Sequence, residues 1–156
     1  MAKTVAKPAG SAADARDKSQ PWNKFSVTVE TVVRWRDLDA YNHVNNSVFL
    51  TFLEEARIQW FDSLGSPWRS ATFEPILAAA TINFRRPIRY PETLRIRLST
   101  ERIGRSSLTI AQRVTAADDD TILYADGNTV IVWVSPIDGR PVSLPEVVRE
   151  VAGRSD

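Results

Sequence analysis

The sequence contains no cysteine, a single histidine and a single methionine among 156 residues. Without thiols, disulfide frameworks, thiol nucleophiles, zinc fingers and iron-sulfur sites are excluded together, because each needs a sulfur ligand or partner. One His leaves little room for a metal site, and neither metal nor redox cofactor is expected. Long apolar runs are missing too. No stretch approaches the roughly 18 to 20 uninterrupted apolar residues of a membrane span, and the N-terminus lacks the apolar centre of a signal peptide, so the expected compartment is the cytoplasm. A charge excess of either sign is also absent, with 20 Lys plus Arg against 19 Asp plus Glu. Part of that basic charge, Lys3, Lys7, Arg16 and Lys18, lies near the N-terminus. The remainder is close to neutral and offers no basic face for nucleic acid. Asn45-Asn46-Ser47 matches a glycosylation acceptor, yet that chemistry needs a secretory route for which the chain carries no signal.

The chain that remains is 43% hydrophobic, enough for one domain with a real core. Residues 1–22 are poor in large apolar side chains and are expected to form a disordered tail, with Asp14 and Asp17 counting against an organelle-targeting peptide. Residues 23–156 are expected to form the domain. From Phe25 the apolar residues alternate through Val27, Val29, Thr31, Val33 and Trp35, the pattern of a half-buried strand. A polar stretch, Asp37 to Val44, interrupts it, and Asn45, Asn46 and Ser47 offer oxygens suited to capping a helix. The helix is predicted to run to about Leu64. Val48, Phe49, Phe52, Leu53, Ala56, Trp60 and Leu64 form its apolar stripe, which Leu50 and Phe61 widen to about half the circumference. So wide a face suits a helix with a sheet wrapped around it. Strands are predicted at roughly 76–86, 93–103, 106–116 and 121–134, with Asp118-Asp119-Asp120 as a hairpin tip, and a short helix at 144–152 opening on Pro145 and Glu146. The layout is α+β.

Several chemistries lack their motifs. G-x-S-x-G is absent, and the only His lies too early for the chain order of the fold that carries it. There is no P-loop and no G-x-G-x-x-G. Asp37-x-Asp39 begins like a calcium loop, but Tyr41 takes the next ligand position and no Gly follows. What is concentrated is the segment from Arg36 to Arg57, which sets two carboxylates and the lone His just before a helix start. A helix N-terminus presents unpaired N–H groups and the positive end of a dipole, so a carbonyl docked there is polarised as negative charge builds on its oxygen. A carboxylate a few residues upstream can reach the same carbon or activate a water beside it. The arrangement fits acyl transfer.

In this segment the sequence resembles the hotdog-fold acyl-CoA thioesterases of the 4-hydroxybenzoyl-CoA thioesterase-like family. Their pattern is D-x-D-x-x-G-H-V-N-N, then an aromatic, then E-x-A-R along the central helix. Asp37, Asp39, His43, Val44, Asn45, Asn46, Phe49, Glu54 or Glu55, Ala56 and Arg57 match it. Asn83 to Ile88 resembles the family's strand ending in R-P, and Ile103 to Ser107 its I-G-x-S-S. Asn42 stands in place of the usual Gly before the His. The resemblance implies an antiparallel sheet wrapped around one long central helix, a homodimer or a homotetramer, an apolar acyl cleft between subunits, and coenzyme A as part of the substrate.

It also implies roles. Asp39 matches the carboxylate that acts as nucleophile or general base, and the backbone N–H near Asn46 matches the donor that polarises the thioester carbonyl. His43 matches the histidine of a D-x-x-x-H arrangement also found in plant acyl-carrier-protein thioesterases, where Tyr41 would be Asn. Arg105 and Ser106 match positions that contact the CoA phosphates and pantetheine arm. Tyr41, Phe49, Phe52 and Phe84 are candidates to line the pocket, Asn45 to hold the helix start, and Arg86 to meet a phosphate. Each has a structural alternative: a turn carboxylate for Asp39, a hydrogen-bonded structural residue for His43, caps for Asn45 and Asn46, core packing for the phenylalanines, and a solvated strand end for Arg85, Arg86 and Arg89. Asp37 reads as a loop brace against Arg36 or Arg57, and Glu54 and Glu55 as a solvated pair with Arg57. Rival functions are an acyl-carrier-protein thioesterase, a hotdog hydratase or dehydratase, and a non-catalytic acyl-thioester binding module. The hydratase motif G-D-x-N-P-x-H lacks its counterpart here: His43 follows Asp39 by four positions, not five, and no Asn-Pro precedes it.

Overall fold

The computed structural model describes residues 27–153; the expected N-terminal tail lies outside them. Five strands form one antiparallel sheet: β1 (Val27–Val32), β2 (Glu74–Phe84), β3 (Thr93–Ile103), β4 (Ser107–Ala116) and β5 (Leu123–Val134). Their spatial order is β1-β3-β4-β5-β2, so β1 and β2 are the two edges. The helix α1 (Asn46–Asp62) lies against one face, and α2 (Glu146–Gly153) packs on β3. This is the α+β sheet around a helix that the sequence pattern predicts, and the hotdog architecture that the resemblance implies.

Alternation in β3 and β4 decides which face meets the helix. Leu94, Ile96 and Leu98 in β3 and Leu108 and Ile110 in β4 are fully buried, while Arg95, Arg97 and Thr109 alternate with them on the outer face. Each such Leu or Ile contributes roughly 1.5–3 kcal/mol relative to an exposed position. From α1 come Phe49, Phe52, Leu53, Ala56, Trp60 and Phe61. Trp133 is completely buried, with its indole N–H donating to the Trp68 carbonyl at 2.8 Å, which removes the polar cost of placing it there.

The structure departs from the sequence pattern at named positions. Trp35 is 72% exposed, because β1 stops at Val32 and a single 3-10 turn over Trp35–Asp37 breaks the alternation that would have turned it inward. Leu50, placed on the widened apolar face, is 40% exposed, whereas Arg57, expected in a solvated pair, is only 5% exposed. The Arg57 side chain is packed along the core side of α1, and its burial lowers the guanidinium's proton affinity, with the Glu54 charge acting the other way. Strand β2 ends two residues early because the Arg85 and Arg86 N–H groups both converge on the Tyr124 carbonyl, which closes the ladder. Pro145 precedes α2 and its carbonyl accepts the Val148 and Arg149 N–H groups, so it sits at the cap and not inside the first turn. The Asp118–Asp120 turn does more than end a hairpin. Asp119 caps Thr121, and Asp120 reaches back over the outer face to Arg95 at 2.8 Å and to Arg97.

Candidate active site

The polar loop before α1 is a tight hairpin closed by backbone pairing between Leu38 and Val44. The Asp39 N–H donates to the His43 carbonyl at 2.8 Å, and the Val44 N–H donates to the Ile88 carbonyl at 2.9 Å, tying the loop to the chain that leaves β2. Reversal within so few residues needs one residue in the left-handed region, and Asn42 takes it with φ 59°. Asparagine is, after glycine, among the residues that tolerate this region best. The departure from the family's Gly therefore preserves the backbone shape.

Asp39 works within this hairpin through one oxygen. Its Oδ1 accepts the Tyr41 N–H at 2.8 Å and the His43 N–H at 3.3 Å. Among the described residues no protein donor meets Oδ2, so the turn occupies only one oxygen of the carboxylate. At the helix start Asn45 is the cap: its Oδ1 accepts the Ser47 N–H at 3.0 Å and the Ser47 hydroxyl at 2.8 Å, and its carbonyl accepts the Val48 N–H. Its own N–H donates to the Asp37 carbonyl at 2.9 Å. The Asn46 N–H meets no protein acceptor among the described residues.

These atoms share a cavity of about 270 Å³. Asp39, His43, Asn46, Phe49, Phe84 and Arg86 line it, which gathers six of the eleven predicted site residues in one place. Val44, Arg85, Pro87 and Ile88 complete the wall. Phe49 and Phe84 meet edge to face, with centroids 5.0 Å apart, and form the apolar side. His43 is half-buried, and its Nε2 is shielded from solvent with no protein partner among the described residues. Arg85 is committed to Asp126 through two hydrogen bonds of 2.9 and 3.0 Å, and that pairing, helped by Asn83, holds the Asp126 carboxyl below the usual carboxylate range. The side chain of its neighbour, Arg86, makes no hydrogen bond or ion pair among the described residues and is the guanidinium available at the cavity.

Five predicted site residues are not in the wall. Phe52 is buried in the core beneath α1. Tyr41 is 80% exposed at the hairpin tip, and Asn45 acts one residue behind the cavity as the cap. Arg105 and Ser106 occupy the turn between β3 and β4, where their carbonyls accept the Leu144 and Trp133 N–H groups. That turn adjoins the Ile103, Leu108, Ile131 and Leu77 rung, while the cavity adjoins Phe84, seven residues farther along β2. Within one chain the two places are on the order of 20 Å apart.

Asp37 braces the loop as expected but with a different partner. It is 3% exposed, and Arg34, not Arg36 or Arg57, holds it: the Arg34 N–H and Nε reach Oδ2 at 2.8 and 3.1 Å, and Nη2 reaches Oδ1 at 3.0 Å. Burial pushes the Asp37 carboxyl up, but these bonds and the charges of Arg34 and Arg36 outweigh it, and the group lies below its ordinary range. Sequence reading missed Arg34, for which the only signal was a basic residue three positions before an Asp.

The profile of the thioesterase-like superfamily matches residues 33–151. A thioesterase from Thermus thermophilus, solved in complex with coenzyme A and Zn, shares 37% identity, superposes with a TM-score of 0.70, and is matched over 85% of this chain and 98% of that one. The PA2801 protein of Pseudomonas aeruginosa shares 32% identity with a TM-score of 0.76 over 81% of this chain and 97% of that one. The Escherichia coli long-chain acyl-CoA thioesterase FadM is 29% identical over 120 residues, 76% of this chain and 90% of FadM. With the hotdog sheet, the family profile and these relatives in agreement, the chain belongs to the thioesterase-like superfamily and is a thioester hydrolase.

Proposed function

We propose that this enzyme hydrolyses acyl-CoA to a free acid and coenzyme A, with Asp39 and the Asn46 N–H as its reacting groups. The observation that carries the reading is that Asp39, whose Oδ2 has no protein partner, and Asn46, whose N–H has none among the described residues, line one cavity with an aromatic wall. The acyl group lies against Phe49 and Phe84, and the thioester carbonyl oxygen takes the Asn46 N–H. Asp39 Oδ2 either removes a proton from the water that attacks the carbonyl carbon, or attacks that carbon itself to give an aspartyl mixed anhydride, which a water then hydrolyses to the free acid and the regenerated carboxylate. As the carbon becomes tetrahedral, charge moves onto the oxygen at the positive end of α1, where one such donor contributes about 10² to 10³ in rate. The C–S bond then breaks and the thiolate leaves to be protonated. His43, a residue of the cavity wall whose N–H donates to Asp39 Oδ1, orients the carboxylate. No metal or redox group is needed for any of these steps.

The same reading makes the working unit a homodimer, or a homotetramer of two such pairs. Edge strand β2 is exposed almost throughout its 11 residues, with Ile76, Leu77 and Phe84 about half exposed. A long apolar edge of this kind calls for pairing. Antiparallel pairing of β2 with a second β2 sets opposite ends of the two strands together, which brings the partner subunit's Arg105 and the partner subunit's Ser106 toward the cavity beside Phe84. The phosphates of coenzyme A then meet Arg86 from one side and the partner subunit's Arg105 from the other. The cytoplasm supplies such substrates, and no described helix is long and apolar enough to cross a membrane.

Turnover of a small acyl-CoA panel tests this, followed in parallel by free thiol and by absorbance of an enoyl product. Thiol release without enoyl formation is expected. Enoyl formation without thiol points to a hydratase or dehydratase, and binding without either product points to a carrier module.

A further inference from the structure

We propose that Arg34 and Asp37 are positioning residues of the thioester site, acting as one clamp that fixes the carboxylate of Asp39 relative to the N–H of Asn46. This rests on the proposed roles of those two groups. Both are connected to the Asp37 main chain by short routes. Asp39 follows Asp37 by two residues in the hairpin strand, and the Asp37 carbonyl accepts the N–H of Asn45, the residue next to Asn46. Asp37 is thus the joint between the turn that bears the acid and the helix that bears the oxyanion donor.

Every polar group of that joint is occupied. The Asp37 N–H donates to the Arg34 carbonyl at 2.9 Å, its carbonyl takes Asn45, and its two carboxylate oxygens take three donors of Arg34. The guanidinium meets both oxygens in a fork, which fixes the plane of the carboxylate as well as its distance, something a single ammonium cannot do. Asn45, held from behind by Asp37, uses its side chain on Ser47 and its carbonyl on Val48. By elimination the Asn46 N–H is left unpaired at the cavity. The clamp itself lies outside the cavity wall. A displacement of about 1 Å between acid and oxyanion donor is enough to cost on the order of 10²-fold in rate.

The test compares Arg34→Lys, Arg34→Met, Asp37→Asn and the Arg34→Met, Asp37→Asn pair with Asp39→Asn, on the intact homogeneous enzyme, by kcat, KM and melting temperature. Positioning predicts that each clamp variant loses 10- to 100-fold in kcat at temperatures where it is fully folded, with KM within about twofold of wild type. The Lys variant, which keeps the charge but loses the fork, should fall with the others, and the double variant should be no worse than the more impaired single one. If Asp39→Asn is inactive while the folded clamp variants keep kcat within twofold of wild type, the clamp is structural only and the proposal is overturned. If Arg34→Lys alone retains full kcat, charge and not the fork is what counts, and the positioning claim fails. Should Arg34→Met not fold, Arg34→Lys still decides. An Asp39→Asn variant with wild-type kcat overturns the site assignment itself, a separate outcome.

Discussion

Asp39 and His43 hold each other's main chain: the Asp39 N–H donates to the His43 carbonyl at 2.8 Å, and the His43 N–H returns to Asp39 Oδ1 at 3.3 Å. The acid and the lone histidine are therefore set by one hairpin, and only Oδ2 of the carboxylate is left for chemistry. An amide at this position can keep the acceptor that the hairpin uses. Asp39→Asn should hold the fold, melt within a few degrees of wild type, keep KM, and lose roughly 10² to 10⁴ in kcat, the range for a positioned proton-transfer group. Equal kcat in the two proteins would remove Asp39 from the mechanism.

Asn42 offers a test of the hairpin's shape that leaves every polar site atom in place. Its φ of 59° is open to Gly and Asn but costs other residues about 1–2 kcal/mol. Asn42→Gly should therefore leave stability within about 0.5 kcal/mol of wild type and keep most activity. Asn42→Val, β-branched and poorly suited to positive φ, should lose more than about 1 kcal/mol, with kcat falling as the Asp39 turn distorts. Denaturant melts of both variants give the comparison directly, and the account of the Gly replacement fails if Val is tolerated as well as Gly.

The clamp also predicts a pH dependence of stability. The folded Asp37 carboxyl titrates below its unfolded value, so the folded state releases that proton more readily. Its contribution is fully present above the unfolded value of about 4 and is lost as pH falls through the lower folded value. Asp37→Asn should be less stable than wild type at neutral pH, and the difference should shrink as pH is lowered below about 4. Melting temperatures of both proteins from about pH 7 to about pH 3 check the sign; a gap that widens on acidification contradicts the pairing with Arg34.

Much of this could be read in the sequence, for reasons particular residues make plain. Leu94, Ile96 and Leu98 alternate because one face of β3 is wet and the other dry, and that signal is local. The Asp39, His43 and Asn46 cluster was legible for the same reason, since a hairpin followed at once by a capped helix brings near neighbours together. What escaped depends on turns and on partners distant in sequence. Nothing in a period-two pattern reveals that a 3-10 turn rotates Trp35 outward and places Arg34 on Asp37. Arg57 carries a charge that reads as surface, yet the core side of α1 buries its guanidinium along with its stem, and Nη1 has no hydrogen-bond partner among the described residues. The distance from Arg105 to the cavity is a property of strand direction across four strands and leaves no trace in local spacing.

That distance leads to a prediction about which chain supplies which residue. If β2 pairs with β2, each site takes Asp39 from one protomer and Arg105 from the other. Arg105→Ala should then raise KM for acyl-CoA more than for a short N-acetylcysteamine thioester, which lacks the nucleotide phosphates. Lys substitutions at Ile76 and Leu77, on the exposed edge, should shift light scattering from dimer toward monomer and lower turnover together. Mixing gives the sharper result. A dimer of one Asp39→Asn chain and one Arg105→Ala chain holds one site with both defects and one site with neither, because the intact Asp39 and the intact Arg105 come from different protomers and meet. Re-associating equal amounts of the two parents, assayed at acyl-CoA far below the KM of the Arg105→Ala protein, should make about half of the dimers mixed, and so restore about one wild-type site in four. Were both residues to act within one chain, every site in the mixture would carry a defect and no activity at low acyl-CoA would return. Recovery toward a quarter of wild type therefore places the site across the interface, and its absence from a mixture proven to contain mixed dimers returns Arg105 to a structural role at the β3 to β4 turn.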